Sequence, residues 1–338
     1  MSNRQSRSIA FPSQSSRVKA LVRKGVWKLL PVLDLLLLPL VALGGCVMAG
    51  MRRLGFDHFR LARKALYWVG VFPIRDHYYE PLVNPKHLRY SLSLERALPG
   101  VDLNEQGQLQ FLERLRYGTE LRELLDSPTE NGFRFGNAAF EAGDAEYWYN
   151  LVRAVKPRTI VEIGSGNSTL LAIEAIRKNR QEDSAYRCRH VCIEPFEAPW
   201  LERAGPEIIR SKVELLNADL FLQLDANDIL FIDSSHVIRP QGDLLFEVLE
   251  VLPRLRSKVI VHFHDIFTPR DYPETWIREQ VRLWNEQYLL EAFLTENKDW
   301  KVLGALNFLW HHHPERLRRV CPFLAAGSEP GSFYIQKQ

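Results

Sequence analysis

The sequence predicts an α/β protein: a doubly wound, mostly parallel sheet behind an N-terminal helical segment that associates with a membrane. Three observations carry this. From about residue 131 onward, short apolar runs alternate with amphipathic ones, the pattern of strands interleaved with crossover helices. Several of those runs stop abruptly on glycine, acidic or histidine residues, and ligands of such sheets bind beyond the carboxyl ends of the strands. Near the start, Leu29–Met51 is an apolar stretch long enough to span a bilayer, with basic flanks.

The chain opens with a basic tail, residues 1–28, holding Arg4, Arg7, Arg17, Lys19, Arg23, Lys24 and Lys28 and no acid. The 338 residues together carry a net charge of only +3. The remainder is therefore slightly acidic, and nucleic acid is not an expected partner. Leu29–Met51 follows with one charge, Asp34. Its length suits a transmembrane helix. Basic residues on both sides, from Lys24 and Lys28 to Arg52, Arg53, Arg60, Arg63 and Lys64, remove the asymmetry that sets orientation. Pro31 and Pro39 are expected to interrupt the helix, and Gly44–Gly45 to loosen it. Asp34 would cost roughly 2.5–3.5 kcal/mol at mid-membrane. A re-entrant segment with both ends in the cytoplasm is thus the alternative geometry.

Residues 52–130 form an accessory region. "GVFPIRDHYYEPLVNP" is a Pro-punctuated, aromatic-rich loop. "LNEQGQLQFLERLRYGTELRELL" has helical periodicity, with Leu109, Phe111, Leu112, Leu115 and Leu121 roughly on one face.

The principal domain, residues 131–338, reads as follows. "AEYWYNLVRAV" is a helix, "RTIVEIG" a strand and "STLLAIEAIRKN" a helix. "RHVCIE" is a strand and "APWLERA" a short helix. "KVELLNAD" and "DILFID" are strands, "GDLLFEVLEVL" a helix and "SKVIVHFHD" a strand. A single long helix is expected over "ETWIREQVRLWNEQYLLEAFL". "WKVLGAL" and "SFYIQK" close the sheet, with "NFLWHHHPERL" a short helix between them and an antiparallel last strand.

The strand ends carry the candidate site. The first ends in Glu162-Ile163-Gly164-Ser165-Gly166, with Ser168 where the next helix begins. The two glycines allow a tight turn and close approach of a ligand. Thr169 stands where a dinucleotide fingerprint would place its third glycine or alanine. The second strand ends at Glu194, a carboxylate able to accept from both ribose hydroxyls. The third is expected to end at Asp219, which either meets an adenine amino group or caps the next turn. The fourth ends at Asp233, with His236 three residues on; the fifth ends in His264-Asp265. Two carboxylates with an imidazole suit a divalent metal: Mg²⁺ on Asp233 and Asp265, or Mn²⁺, Fe²⁺ or Zn²⁺ with His264 added. The ordinary pKa of His236 suits removal of a proton from a hydroxyl.

Other clusters read as structural. Three consecutive residues of a regular element cannot face one ion, so His311-His312-His313 is expected to be a polar turn. Cys188 and Cys192 lack a second pair, so they and Cys46 and Cys321 read as idle thiols.

"TIVEIGSGNST", "ILFIDSSH" and "VIVHFHDIF…DYPETW…EQYLLEAFL" together resemble the class I S-adenosylmethionine-dependent methyltransferases. They look most like the branch that O-methylates sugar hydroxyls of natural products and glycans, often with a bound metal. The resemblance implies a methionine-side loop at Glu162, Gly164 and Gly166, ribose at Glu194 and adenine at Asp219. It further implies metal at Asp233, His264 and Asp265, and His236 as general base. His264 departs from the pattern, since relatives carry an acidic pair there. Asp271, Tyr272 and Trp276 are candidate acceptor contacts. The implied activity is O-methylation of a glycan or lipid-linked sugar by a catalytic domain on the cytoplasmic side, where the methyl donor is found. Two other readings stand: a non-catalytic, membrane-recruited nucleotide-binding scaffold, and an NAD-type oxidoreductase. Self-association into a homo-oligomer is left open.

Overall fold

A computed structural model of the chain describes residues 14–126, 132–196 and 198–338. The chain divides into two compact units, one ending at Leu82 and one running from Val83 to Gln338.

In the first unit, α1 (Gln14–Leu54) is followed by α2 (Arg60–Val69). Within α1, Lys28–Leu54 is long and apolar enough to cross a membrane, by length and composition. Pro31 and Pro39 lie inside this helix rather than interrupting it, contrary to the sequence expectation. Each proline removes one backbone donor, yet the helical assignment continues through both. Between Leu29 and Met51 there is no turn of the kind a re-entrant hairpin needs.

The second unit is built on a seven-stranded sheet of order β3-β2-β1-β4-β5-β7-β6. Its elements, in chain order, are α3 (Glu105–Leu112), α4 (Gly118–Asp126), α5 (Asp144–Val155), β1 (Thr159–Ile163), α6 (Asn167–Glu182), β2 (Arg189–Ile193), α7 (Pro199–Ala204), β3 (Glu207–Ile209) and β4 (Ile229–Ile232). Then come α8 (Asp243–Leu245, running on through a π-helical turn at Phe246–Val251), β5 (Ile260–Phe263), α9 (Glu274–Arg278), α10 (Glu286–Leu294), β6 (Trp300–Ala305), α11 (Leu306–His312), α12 (Pro314–Val320) and β7 (Phe333–Lys337). The strands from β3 to β5 pair in parallel, and β7 runs antiparallel to both β5 and β6.

The central strands are apolar on both faces because helices cover both, as buried parallel sheets require. Ile160, Val161, Leu230, Phe231, Ile260 and Val261 are all buried. Trp148 of α5 meets Phe231 at a ring distance of 5.0 Å, and Tyr147 stacks on Tyr334 at 4.6 Å. The Tyr147 hydroxyl donates to the Leu303 carbonyl at 3.1 Å, so the polar tip of this buried ring is satisfied. Phe111, Leu112, Leu115 and Leu121 join the same core.

Three local expectations need correction. The segment "KVELLNAD" is not a strand. It forms 3₁₀ turns at Val213–Leu215 and Ala218–Gln223, and the third strand is the short Glu207–Ile209. Ala218, Phe221 and Leu224 are buried at three-residue spacing, which is 3₁₀ periodicity. The helix expected over 103–125 is two, α3 and α4. The long helix expected over 274–294 is also two, α9 and α10, and Val281 between them has φ +53°.

Candidate active site

Parallel register builds the site. Ile163 pairs with Ile193 and with Ile232, and Ile232 pairs with Phe263. The next residues along β1, β2, β4 and β5 are Gly164, Glu194, Asp233 and His264, so these four stand in one row across the sheet edge. Backbone bonds continue the ladder there: Gly164 N–H donates to Ile193 O, Asp233 N–H to Ile163 O, and His264 N–H to Ile232 O, at 2.9–3.0 Å. Gly164 has φ +81°, and a Cβ on it would lie 2.1 Å from the Asp233 carbonyl oxygen. Only glycine fits that turn. A cleft of about 360 Å³ opens beside it, lined among others by Gly164, Glu194, Phe196, Asp233, Ser235 and Arg239.

At the β4 and β5 ends, four groups converge. His236 Nε2 lies 3.2 Å from Asp233 Oδ1 and 3.8 Å from Asp265 Oδ2. His264 Nδ1 lies 3.6 Å from Asp233 Oδ1 and 3.7 Å from Asp265 Oδ1. Ligand-type atoms of Asp233, His236 and Asp265 all lie within 4.8 Å of one another. His236, expected only as the base, thus stands among the metal-type groups, while His264, equally buried, is not one of that triplet. His236 and Asp265 both have positive φ, +60° and +61°. Non-glycine residues held in the left-handed region at two adjacent strand ends mark a site whose surroundings over-determine it.

Those surroundings were not legible in the sequence. His236 Nδ1 lies 2.7 Å from Glu286 Oε2, at the start of α10. The His236 carbonyl accepts from the Asn285 and Glu286 N–H groups, and the His236 ring lies 4.1 Å from that of Trp284. The two serines of the spacer fix the loop from the other side. Ser235 donates from its N–H and its hydroxyl to Asp243, both at 2.8 Å, and Ser234 Oγ donates to Glu247 at 3.1 Å. Asp144 of α5 accepts from the Gly331 and Ser332 N–H groups and lies 3.8 Å from His264 Nε2. The one available signal was local: Asn285 is a cap-type residue directly before an apolar helical run.

The electrostatics follow from this crowding. Burial opposes a charge on His236, yet hydrogen bonds to Asp233 and Glu286 push its pKa up to about 10. Burial likewise opposes a charge on His264, and the Asp265 and Asp233 carboxylates override it, raising its pKa well above the ordinary value. Loss of water opposes the Asp233 charge, but His264 and His236 hold its carboxyl far below the usual range. Asp265 and Glu286 are raised by burial, an effect their histidine neighbours offset in part. Four carboxylates (Asp144, Asp233, Asp265, Glu286) surround two imidazoles. His264 Nδ1 is buried without a hydrogen-bond partner. An orphaned nitrogen facing two carboxylate oxygens fits a divalent cation.

On the other side of Gly164, Glu162 is fully buried. It accepts from Thr169 Oγ1 at 2.6 Å and Ser168 Oγ at 3.4 Å, and lies 2.8 Å from His190 Nε2. It therefore shapes the glycine turn from beneath. The Ser168 hydroxyl faces inward with it. A Cβ on Gly166 would meet nothing within 4 Å, which leaves open space above the start of α6. Glu194 accepts from Ser165 N–H and Phe196 N–H and lines the cleft. Asp219 is exposed, within the 3₁₀ turn capped by Asn217, and is not among the cleft-lining residues. Asp271 and Tyr272 line a second cavity of about 270 Å³ with Phe267, Glu274 and Asn307; Trp276 packs on Phe267 at 5.3 Å. His311, His312 and His313 straddle the end of α11 and face three different acids, Glu329, Glu95 and Glu105.

Residues 161–266 match a family model described as a methyltransferase domain. An uncharacterized protein of Archaeoglobus fulgidus is 28% identical over 173 residues, covering 47% of this chain and 76% of that one. Among solved structures, an O-methyltransferase from Bacillus cereus in complex with SAH has 13% identity and a TM-score of 0.34, covering 68% of this chain and 91% of that one. The O-methyltransferase TomG from Streptomyces achromogenes, involved in tomaymycin synthesis and solved with SAM, has 15% identity and a TM-score of 0.34, covering 68% and 90%. The matched residues run from within β1 to just past β5, so the methyltransferase-domain match includes Gly164, Glu194, Asp233, His236, His264 and Asp265.

Proposed function

We propose that this domain transfers the methyl group of S-adenosylmethionine to a hydroxyl of a glycan or lipid-linked sugar at the cytoplasmic face of a membrane, with residues 29–51 as the membrane segment. The observation that carries the O-methyl reading is the Asp233–His236–Asp265 cluster beside the Gly164 turn, at the edge where β1 and β4 end together. A nicotinamide oxidoreductase is disfavoured by the sheet itself. The usual dinucleotide order ends in parallel strands 4-5-6, whereas here antiparallel β7 lies between β5 and β6.

In this reading the open space over Gly166 admits the methionine end of the donor and Glu194 accepts from the ribose; Asp219, outside the cleft lining, is assigned to the adenine only by the resemblance. Asp233, His264 and Asp265 would hold a divalent cation, Mg²⁺ or Mn²⁺. Bound donor supplies an already activated sulfonium methyl, and a cation would orient the acceptor hydroxyl and lower its pKa. The chain's own residues do the rest. Glu286 holds His236 through Nδ1, which leaves Nε2 as the atom that takes the hydroxyl proton. With Asp233 and Glu286 both charged, His236 is an imidazolium near neutral pH; it becomes a base only when the Asp233 charge is neutralised. Acceptor contact is assigned to Asp271, Tyr272 and Trp276, and positioning for in-line attack is most of the catalytic task.

The test is methyl transfer from labelled S-adenosylmethionine to a panel of sugar and lipid-linked sugar acceptors, with and without Mg²⁺ or Mn²⁺. Transfer to a hydroxyl that His236→Ala abolishes supports the reading. Donor binding with transfer only to nitrogen or carbon acceptors, or activity untouched by His236→Ala, overturns it.

A further inference from the structure

The first unit contains a helix the catalytic reading does not use. None of the residues of α2, Arg60–Val69, is buried. At 100° per residue its composition separates cleanly. Arg60, Arg63, Lys64 and Tyr67 share one face. Leu61, Ala62, Ala65, Leu66, Trp68 and Val69 share the other. Leu61 is 84% and Trp68 88% exposed. A helix this apolar on one side and this basic on the other loses free energy of hydration unless something covers it.

Its position says what covers it. Five residues separate the end of α1 from the start of α2. Phe72, just beyond α2, meets Phe56 at 4.8 Å and stacks on Tyr67 at 5.4 Å. Arg52, in the last turn of α1, pairs with Glu80, which Arg75 also reaches. These contacts tie α2 and the loop after it to the C-terminal end of α1. Arg52, Arg53, Arg60, Arg63 and Lys64 therefore cluster where the apolar helix ends. Exposed aromatic residues Tyr67, Trp68, Tyr78 and Tyr79 flank them, and such rings favour the headgroup level.

We propose that α2 is an interfacial helix that lies along an anionic lipid leaflet, with its Leu61–Ala65–Trp68 face in the acyl boundary and its basic residues at the phosphates. This rests on the membrane reading of α1. It goes further by assigning a lipid-reading surface that would fix how close to the bilayer the chain leaves the first unit.

The full chain, with exposed Cys46 replaced by serine, is reconstituted in phosphatidylcholine vesicles with and without phosphatidylglycerol. An environment-sensitive fluorophore is placed in turn at L61C, A65C, W68C, R60C and K64C. Positions 61, 65 and 68 should be quenched by acyl-chain quenchers about two-fold or more over 60 and 64, as expected of a helix lying in the interface plane. That contrast should grow with phosphatidylglycerol and shrink with R63E. Vesicle flotation with all five positions quenched by aqueous iodide alike overturns the α2 proposal and leaves the α1 reading intact. Positions 61, 65 and 68 shielded from both quenchers would mean a protein face covers them, which also overturns it. A chain that does not float overturns the membrane reading itself.

Discussion

His236 and Glu286 are fifty positions apart in the chain, yet Nδ1 and Oε2 lie 2.7 Å apart. The pairing engages Nδ1 and leaves Nε2 on the side of Asp233 and Asp265. It also joins the loop after β4 to the first turn of α10, so in the proposed reaction the acid would act through the histidine rather than on substrate.

Glu286→Gln keeps the size and a hydrogen bond but removes the charge that orients the ring. Turnover should fall about 10- to 100-fold, as for other partners that orient a working histidine. Affinity for S-adenosylmethionine should not change, because no α10 residue lines the cleft beside Gly164. Separate measurement of kcat and of donor affinity by calorimetry checks this. Equal loss in both would mean that Glu286 only holds the fold.

Gly164 and Gly166 should behave differently under the same substitution. Gly164→Ala places a methyl group against the Asp233 carbonyl at a positive φ, so stability should fall by about 2 kcal/mol or more, with donor binding lost. Gly166→Ala meets no protein atom, so stability should stay within about 0.5 kcal/mol. Its methyl would occupy the space above α6, and donor affinity should drop. Thermal melts paired with donor titrations separate the two effects. A Gly166→Ala chain that binds donor normally would remove that glycine from the site.

The cation assignment makes distinct predictions for the two histidines. Mn²⁺ should raise the melting temperature of the native chain by mass action on the folded state. His264→Gln and Asp265→Asn should lose that rise. His236→Gln should retain most of it while losing turnover. If His236→Gln abolishes the thermal shift and His264→Gln does not, the imidazole ligand is His236, and some other group must act as base.

How much of this was legible follows from what kind of signal each part carries. β4 is a continuous apolar run, and β1, β2 and β5 are mostly apolar around Glu162, His190 and His262; such runs fit a doubly covered sheet, and their ends carry Gly164, Glu194, Asp233 and His264. β3 was missed because three residues, Glu207–Ile209, carry almost no periodicity, whereas the 3₁₀ turns at 213–223 carry enough apolar residues to imitate a strand. The break between α9 and α10 is tertiary: Arg282 lies over Trp276 and Trp284 at 4.1 and 4.2 Å, and Asn285 turns to the loop after β4. Asp144, Asp243 and Glu286 could not be foreseen as partners, because their relation to the site exists only once three helices have docked.

Glu146 carries a prediction independent of the active site. It is buried on α5, and burial, reinforced by the Asp144 charge, lifts its pKa from the ordinary 4.5 to about 7 despite N–H donation from Phe323 and Gly143. Between those two values the folded chain keeps a proton that the unfolded chain has released. The associated stability is fully present below about pH 4.5 and is lost as pH rises through about 7. Its full extent is up to about 3 kcal/mol. Glu146→Gln cannot titrate, and it carries a constant penalty, since its amide NH₂ faces a backbone donor. The stability difference between native and variant chains should therefore narrow as pH rises from about 5 to about 8. Urea unfolding at a series of pH values measures that difference directly, and a constant gap across the range would show that Glu146 is already charged in the folded state.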